Sequence, residues 1–397
     1  MNEHDALFQT ILDNPDDDAP RLVYADWLEE HGDATRAEFI RLQIEAERLP
    51  AYEPRRAQRE KRALDLLGNH RSAWQLPFAP DVTPPFAQTF RRGFVEHLTL
   101  TGAGFGALAG RCGRETPLRE VHLLDLTPDD IALFDSPELG RLSGIGLGFN
   151  PFAPLMGGGH LGGIRLPRLR RLGVAHTGIV PGQLASISDV LELPALQTLD
   201  VSGNRLGLGG ANDLANTVAF ASLTELRLGV IDAEMDYAHL IRAVGAAVLA
   251  RSPHLKQLRT LDLSGQMIGD GGVRALAESP NFTDLETLDL AANDIGSIGT
   301  TGLELLTESA RLPALRDLDL SGNPLGIAGL DVLAGWPGLD RLRRLSLASI
   351  NNATSEGWRR LARSPYLHRG LWLNLRNSRL DAATVVLLRL RVGFLEV

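Results

Sequence analysis

The chain is poor in the residues that staple small secreted folds or build ring-filled cores. Of 397 residues only Cys112 is a cysteine, so no intrachain disulfide can form and a reducing compartment is expected. Aromatic residues make up 6 %, which leaves the interior to aliphatic side chains. No apolar run reaches the ~20 residues that span a bilayer. The start, Met1-Asn-Glu-His-Asp5, lacks the basic and apolar regions of a secretory signal, and the expected location is cytoplasmic. Positive charge is short as well: 40 Lys and Arg stand against 49 Asp and Glu, a net charge of −9, which disfavours general binding to nucleic acid or to anionic membranes. The ten His show no metal-binding spacing such as H-E-x-x-H. Gly102 to Gly110 is glycine-rich but lacks G-x-x-x-x-G-K-[ST], and reads as a turn that opens a helix. Cys112 has no C-x-x-C companion and reads as an inert thiol. No catalytic residue, metal or cofactor is therefore expected.

What is present is a repeat. Hydrophobic residues make up 44 % and charged residues 22 %, as in a folded chain. The spacing L-x-x-L-x-L recurs from Val95, Leu118, Leu142, Leu169, Leu196, Leu223, Leu258, Leu285, Leu315, Leu342 and Gly370. Four copies are nearly identical, for example Leu196-Gln-Thr-Leu-Asp-Val-Ser-Gly-Asn204 and Leu315-Arg-Asp-Leu-Asp-Leu-Ser-Gly-Asn323. The fourth and sixth positions fall on one face of a short strand because strand side chains alternate. The ninth position is Asn in Asn150, Asn204, Asn293 and Asn323, an amide able to pair backbone groups where the chain turns. Helical spacing follows, as at Val273, Leu276 and Ala277, and Pro167, Pro194 or Pro313 precedes the next strand. One such unit cannot bury its own leucines; stacking does so, at about 1.5–3 kcal/mol per fully buried Leu.

This pattern resembles the leucine-rich repeat family, in particular its longer strand–helix repeats of the ribonuclease-inhibitor-like subgroup. The resemblance implies an α/β solenoid: a curved horseshoe with parallel strands on the concave side and helices on the convex side. Two segments depart from the period. Extra residues around Asp232 to His239 are expected to lengthen a helix and the loop before it. Gly144, Gly146 and Gly148 occupy the outward positions of one copy, followed by Gly157, Gly158, Gly159, Gly162 and Gly163. They suit either a relaxed strand or the close approach of a ligand.

Residues 1–50 read as three short helices marked by Leu7, Ile11 and Leu12; by Leu22, Val23, Trp27 and Leu28; and by Phe39, Ile40, Leu42 and Ile44. Residues 53–72 extend this all-helical unit. Asp16, Asp17 and Asp18 read as helix caps, not as a cation site. Tyr24, Asp26, Trp27, Glu29, Glu30 and His31 form a dense group expected to be a packed helix with a solvated acidic face. The run from Asn14 to Asp33, with Arg36 to Gln43 and Arg92-Gly-Phe-Val-Glu96, resembles a repeat-companion domain found ahead of leucine-rich repeats in planctomycetes and some myxobacteria. That resemblance implies a bacterial origin and no activity. The expected organisation is a helical cap domain over residues 1–75, a connector over 76–93, about eleven repeats over 94–380 and a C-terminal cap over 381–397, since a solenoid must cover its end leucines.

Function is expected between the leucines, where the third, fifth and seventh positions face out. Asp200, Asp262, Asp289 and Asp319 should form an acidic column interrupted by Arg227, with Glu225 and Asp317 beside it. Arg344, Trp372 and Arg376 add a basic and aromatic end, of the residue types that anchor interfaces. His97, Thr99, Glu120 and His122 occupy the same rows near the start. The expected function is a non-enzymatic scaffold or regulator that binds a protein partner with a basic surface on its concave face. Two other classes remain open at this stage: an effector or enzyme acting through the N-terminal helical unit, and an inhibitor of an operon-linked enzyme. The sequence leaves the oligomeric state open.

Overall fold

The computed structural model describes residues 2–50, 53–76, 86–151, 164–230 and 237–397. The chain divides into two compact units, Met1–Leu169 and Arg170–Val397.

The first unit opens with α1 (Glu3–Asp13), α2 (Ala19–Glu30), α3 (Ala34–Glu47) and α4 (Pro54–Trp74). Asn2 starts α1 by accepting the Asp5 N–H, and Asp33 starts α3 by accepting that of Arg36. Ile11, Tyr24, Ala25, Leu28, Ala37, Ile40 and Ile44 form the helical core. Phe94 joins it from the strand that follows, so the helices cover apolar surface that the sheet would otherwise expose. β1 (Ala87–Arg91) pairs antiparallel with β2 (Phe94–Thr101), and β3 (Glu120–Leu124) and β4 (Gly144–Gly146) continue in parallel. α5 (Gly102–Glu115) starts on the Thr101 side chain, which accepts the Gly104 N–H, as the glycine-rich run predicts. Cys112 is buried on it, and burial pushes its thiol up to about 11, out of reach of thiolate chemistry near neutrality.

The head is joined to β2 by charge as well as by apolar packing. Arg21 is fully buried and donates to Glu96 at 2.6 Å and to the Asp17 and Pro15 carbonyls. Arg92 donates to the other Glu96 oxygen at 2.7 Å. Arg36 donates to the Gly93 carbonyl and lies between the rings of Phe39, Trp74, Phe90 and Phe94. The Asp run differs from its expectation. Asp17 accepts from the Ala19 N–H, but Asp18, at the N-cap position of α2, makes no capping bond with its side chain and pairs with Arg48, and Asp16 pairs with Arg119. Nearby arginines win these carboxylates because a full cation attracts more strongly than a helix end.

In the second unit the strands of the main sheet alternate with helices, and a short strand, Leu191–Glu192, lies outside that sheet. The main-sheet strands are β5 (Arg171–Gly173), β6 (Thr198–Asp200), β7 (Glu225–Arg227), β8 (Thr260–Asp262), β9 (Thr287–Asp289), β10 (Asp317–Asp319), β11 (Arg344–Ser346), β12 (Trp372–Asn374) and β13 (Phe394–Glu396). They pair in parallel, each with the next. The intervening helices are α6 (Gln183–Val190), α7 (Gly207–Asn216), α8 (Arg242–Ala250), α9 (Gly269–Ala277), α10 (Thr301–Glu308), α11 (Gly326–Ala334), α12 (Ser355–Ala362) and α13 (Ala382–Arg391), packed in sequence order. Fourth- and sixth-position residues such as Leu199, Val201, Leu288, Leu290, Leu373 and Leu375 are fully buried between the strand and helix layers. The extra residues before α8 do not lengthen that helix, which has nine residues like α9. They include a short turn at Tyr237–His239, and 231–236 lie outside the described residues.

The buried ninth-position amides do more than close their own turn. Asn204 donates to the Val201 carbonyl of its own repeat and to the Val174 carbonyl of the preceding one, and accepts the Thr177 and Ile179 N–H groups there. Asn323 repeats this pattern on Leu320, Leu290, Asn293 and Ile295. Gln266 substitutes for Asn in its copy, reaching the Leu228 carbonyl and the Ile241 N–H. Ser378 does so in the last copy, through the Leu347 carbonyl and the Ile350 N–H.

Candidate partner-binding surface

Strand register turns the outward positions of the second unit into rows. The first row runs Arg171, Thr198, Glu225, Thr260, Thr287, Asp317, Arg344, Trp372, Phe394. The second runs Gly173, Asp200, Arg227, Asp262, Asp289, Asp319, Ser346, Asn374, Glu396. The structure thus aligns Asp262, Asp289 and Asp319 on adjacent strands, about 4.8 Å apart across a ladder. It places Arg227 between Asp200 and Asp262, where Glu225 holds it at 2.5 Å and so neutralises it locally.

Each aspartate of the second row also has a local task. Asp200, Asp262, Asp289 and Asp319 accept the N–H two residues on, from Ser202, Ser264, Ala291 and Ser321, at 2.9–3.0 Å. That N–H belongs to the residue leaving the strand, and a short acceptor side chain satisfies it. Asn374 does the same for Arg376 without a charge. The recurring Asp is therefore part of the turn, and its second oxygen is what the surface offers outward.

Burial raises the Asp289 carboxyl from 3.8 to about 7. The flanking Asp319 and Asp262 push the same way, while the Ala291 N–H and Arg344 oppose them. Burial also raises Asp317, against the pull of Arg344 and Arg343. Arg344 lies over the Trp372 ring, 4.9 Å from its centroid, and 3.8 Å from Asp319. Trp372 stacks on Phe394 at 6.3 Å, and Arg376 binds Glu396 at 3.1 Å. The basic and aromatic residues are thus a fixed group at one end of the rows. Phe394 and Glu396 extend both rows beyond the last L-x-x-L-x-L copy. Their signal in the sequence is only the x-L-x of Phe394-Leu-Glu396, too short to register as a repeat.

In the first unit, His97 lies 3.8 Å from Glu120, Arg91 lies 3.4 Å from Glu120, and His122 reaches the Gly148 carbonyl at 3.2 Å. These contacts explain the glycines of β4. A Cβ on Gly144 would lie 2.7 Å from the Glu120 side chain, and one on Gly146 would lie 3.3 Å from the His122 ring. The bare strand makes room for its neighbours' side chains; Gly157, Gly158, Gly159, Gly162 and Gly163 lie outside the described residues.

The polar group of α2 is engaged in packing. Tyr24 bonds His4 at 2.8 Å, Trp27 stacks on His31 at 4.1 Å, and Asp26 and Glu29 both hold Arg41. Among the described residues no cluster of His, Cys, Asp and Glu is arranged to hold a metal ion. No helix among them is long and apolar enough to cross a membrane.

Segments 193–215, 254–277 and 312–334 match the family described as leucine-rich repeat. These three segments are leucine-rich repeats. No curated protein matches the sequence. Solved structures similar to this chain include a chain of the yeast Rad7–Elc1 complex, with 17 % identity, a TM-score of 0.52, and coverage of 93 % of this chain and 88 % of that one. An internalin of Listeria monocytogenes shares 18 % identity at a TM-score of 0.41, over 71 % of this chain and 68 % of its own. A Bacteroides fragilis protein shares 14 % at 0.39, over 82 % and 85 %.

Proposed function

We propose that this leucine-rich-repeat protein is a non-enzymatic scaffold that binds a protein partner on the strand face of residues 170–397. The observation that carries the reading is the unbroken run of Asp262, Asp289 and Asp319 on adjacent strands, next to a fixed Arg344–Trp372 pair. Three stacked carboxylates repel one another, and a basic surface that neutralises them gains from their repulsion and from their own attraction. The partner is accordingly a protein presenting Lys or Arg, steered by the acidic rows and anchored at Trp372. Asp200, Glu225, Arg227 and Asp317 form the flank of this surface, and Arg376 its far end. The yeast neighbour is itself a member of a complex between two proteins, which agrees with this use of the fold. The single buried thiol agrees with a cytoplasmic setting, and the packing around Tyr24 to His31 with a head that supports the repeats.

The test is Asp262→Lys with Asp289→Lys and Asp319→Lys, used as bait in the lysate of the native organism beside the parent protein. Capture of specific basic proteins by the parent is expected to vanish in the variant while the circular dichroism spectrum is unchanged. An identical captured set from a folded variant overturns the strand-face reading.

A further inference from the structure

The carboxylates of the second row are not equally compensated. Asp262 accepts both the Ser264 N–H at 2.9 Å and the Ser264 hydroxyl at 2.7 Å. Asp319 accepts the Ser321 N–H at 2.9 Å and has the Arg344 guanidinium 3.8 Å away. Asp289 stands between them and accepts only the Ala291 N–H, because its repeat carries alanine where the neighbouring repeats carry Ser264 and Ser321. Its other oxygen has no hydrogen-bond or ion-pair partner among the described residues. The charged groups around it are Asp262 from β8, Asp317 and Asp319 from β10, and Arg344 from β11. Arg227 of β7 lies beyond Asp262 and is held by Glu225, and Glu286 of the same repeat is held by Arg259. Three carboxylates in line repel one another, and the smallest change that relieves them is a proton on the member with the fewest donors.

We propose that capture of a basic partner by these rows is linked to a proton: the free face holds one on Asp289, and a lysine or arginine arriving over the row drives it off into solvent. The inference rests on the strand-face reading above and adds the regulation of that surface. Half-burial, with like charges on both sides, raises the Asp289 carboxyl to about 7, so the free face is divided between the two forms near neutrality. A cation brought within about 4–6 Å of a carboxyl lowers its titration by about 1–3 pH units, which leaves Asp289 ionised in the complex at pH 7 and above. A surface whose binding form is only partly populated binds more weakly by that fraction. For a group titrating at about 7 the ionised fraction is about a tenth at pH 6 and about nine-tenths at pH 8, so affinity for a basic partner rises about tenfold across that interval. The rows thus hold a basic surface in mildly alkaline solution and release it on acidification.

Isothermal titration calorimetry of the whole chain with acetylated and amidated decalysine tests this, since lysine ammonium groups stay charged from pH 6 to pH 8. Binding to the parent is expected to be about tenfold tighter at pH 8 than at pH 6. Titrations at pH 7 in phosphate and in Tris, which differ in ionisation enthalpy, are expected to show about half a proton released per complex. In Asp289→Asn the affinity is expected to be independent of pH, with no proton released, which separates Asp289 from histidine, the other side chain that titrates in this range. Equal affinity at pH 6 and pH 8 in the parent, or an unchanged pH dependence in Asp289→Asn, overturns the proton link and leaves the strand-face reading standing. Equal binding by the Asp262→Lys/Asp289→Lys/Asp319→Lys variant, or no binding at any pH, overturns the placement of a basic partner on these rows and this inference with it.

Discussion

Asp289→Asn tests the cost of holding a half-buried carboxylate within the acidic rows. Asp289 stands between Asp262 and Asp319, and its carboxyl is raised to about 7 in the folded chain because it is half-buried and flanked by charge. The unfolded chain releases the same proton near the ordinary 3.8. The native state therefore binds the extra proton, and the stability this contributes is complete below about pH 4 and lost as pH rises through about 7. The gap from 3.8 to about 7 corresponds to about 4 kcal/mol at 1.36 kcal/mol per pH unit. About 2–3 kcal/mol of that falls between pH 5 and pH 8, less whatever partial exposure screens. Asparagine keeps an oxygen for the Ala291 N–H and never ionises. Urea unfolding followed by circular dichroism should show the variant gaining on the parent by about 2 kcal/mol more at pH 8 than at pH 5. Parallel pH profiles for the two proteins would refute the argument, because they would mean that Asp289 ionises equally easily folded and unfolded.

Two further substitutions test what holds the chain together. Asn323→Ala strips the Leu290 and Leu320 carbonyls and the Asn293 and Ile295 N–H groups of their partner, and thermal unfolding should register a loss of about 2–4 kcal/mol. Glu96→Gln leaves the buried guanidiniums of Arg21 and Arg92 facing an amide; denaturant unfolding should show about 3–5 kcal/mol lost, and a loss below about 1 kcal/mol would show that water already reaches the pair.

The repeat makes much of this architecture legible in the sequence. Alternation placed Leu199 and Val201 inward and Thr198 and Asp200 outward, because a strand's period of two leaves no other choice. The amides of Asn204 and Asn323 were readable as turn closers, but not as links between repeats, since the sequence says nothing of what a stacked neighbour lacks. Likewise the recurring Asp was visible as charge and invisible as an acceptor for the next turn. Glu96 shares the parity of Leu98 and Leu100, which marks it as inward-facing; its partner Arg21 lies 75 residues away, beyond any local pattern. Gly144 and Gly146 look like bare backbone until Glu120 and His122 are seen to lie over them.

The amide links give the array a direction. Asn204, Gln266 and Asn323 each belong to a later repeat and serve backbone groups of the earlier one. Taking away an early repeat deprives the next of packing but leaves its turn closed by its own amide. Taking away a late one opens the turn before it, whose N–H groups then depend on water. Unravelling thus travels more readily from high residue numbers toward low, each lost repeat loosening the one upstream. Whatever holds α13 and β13 in place acts as a latch on every turn that precedes them.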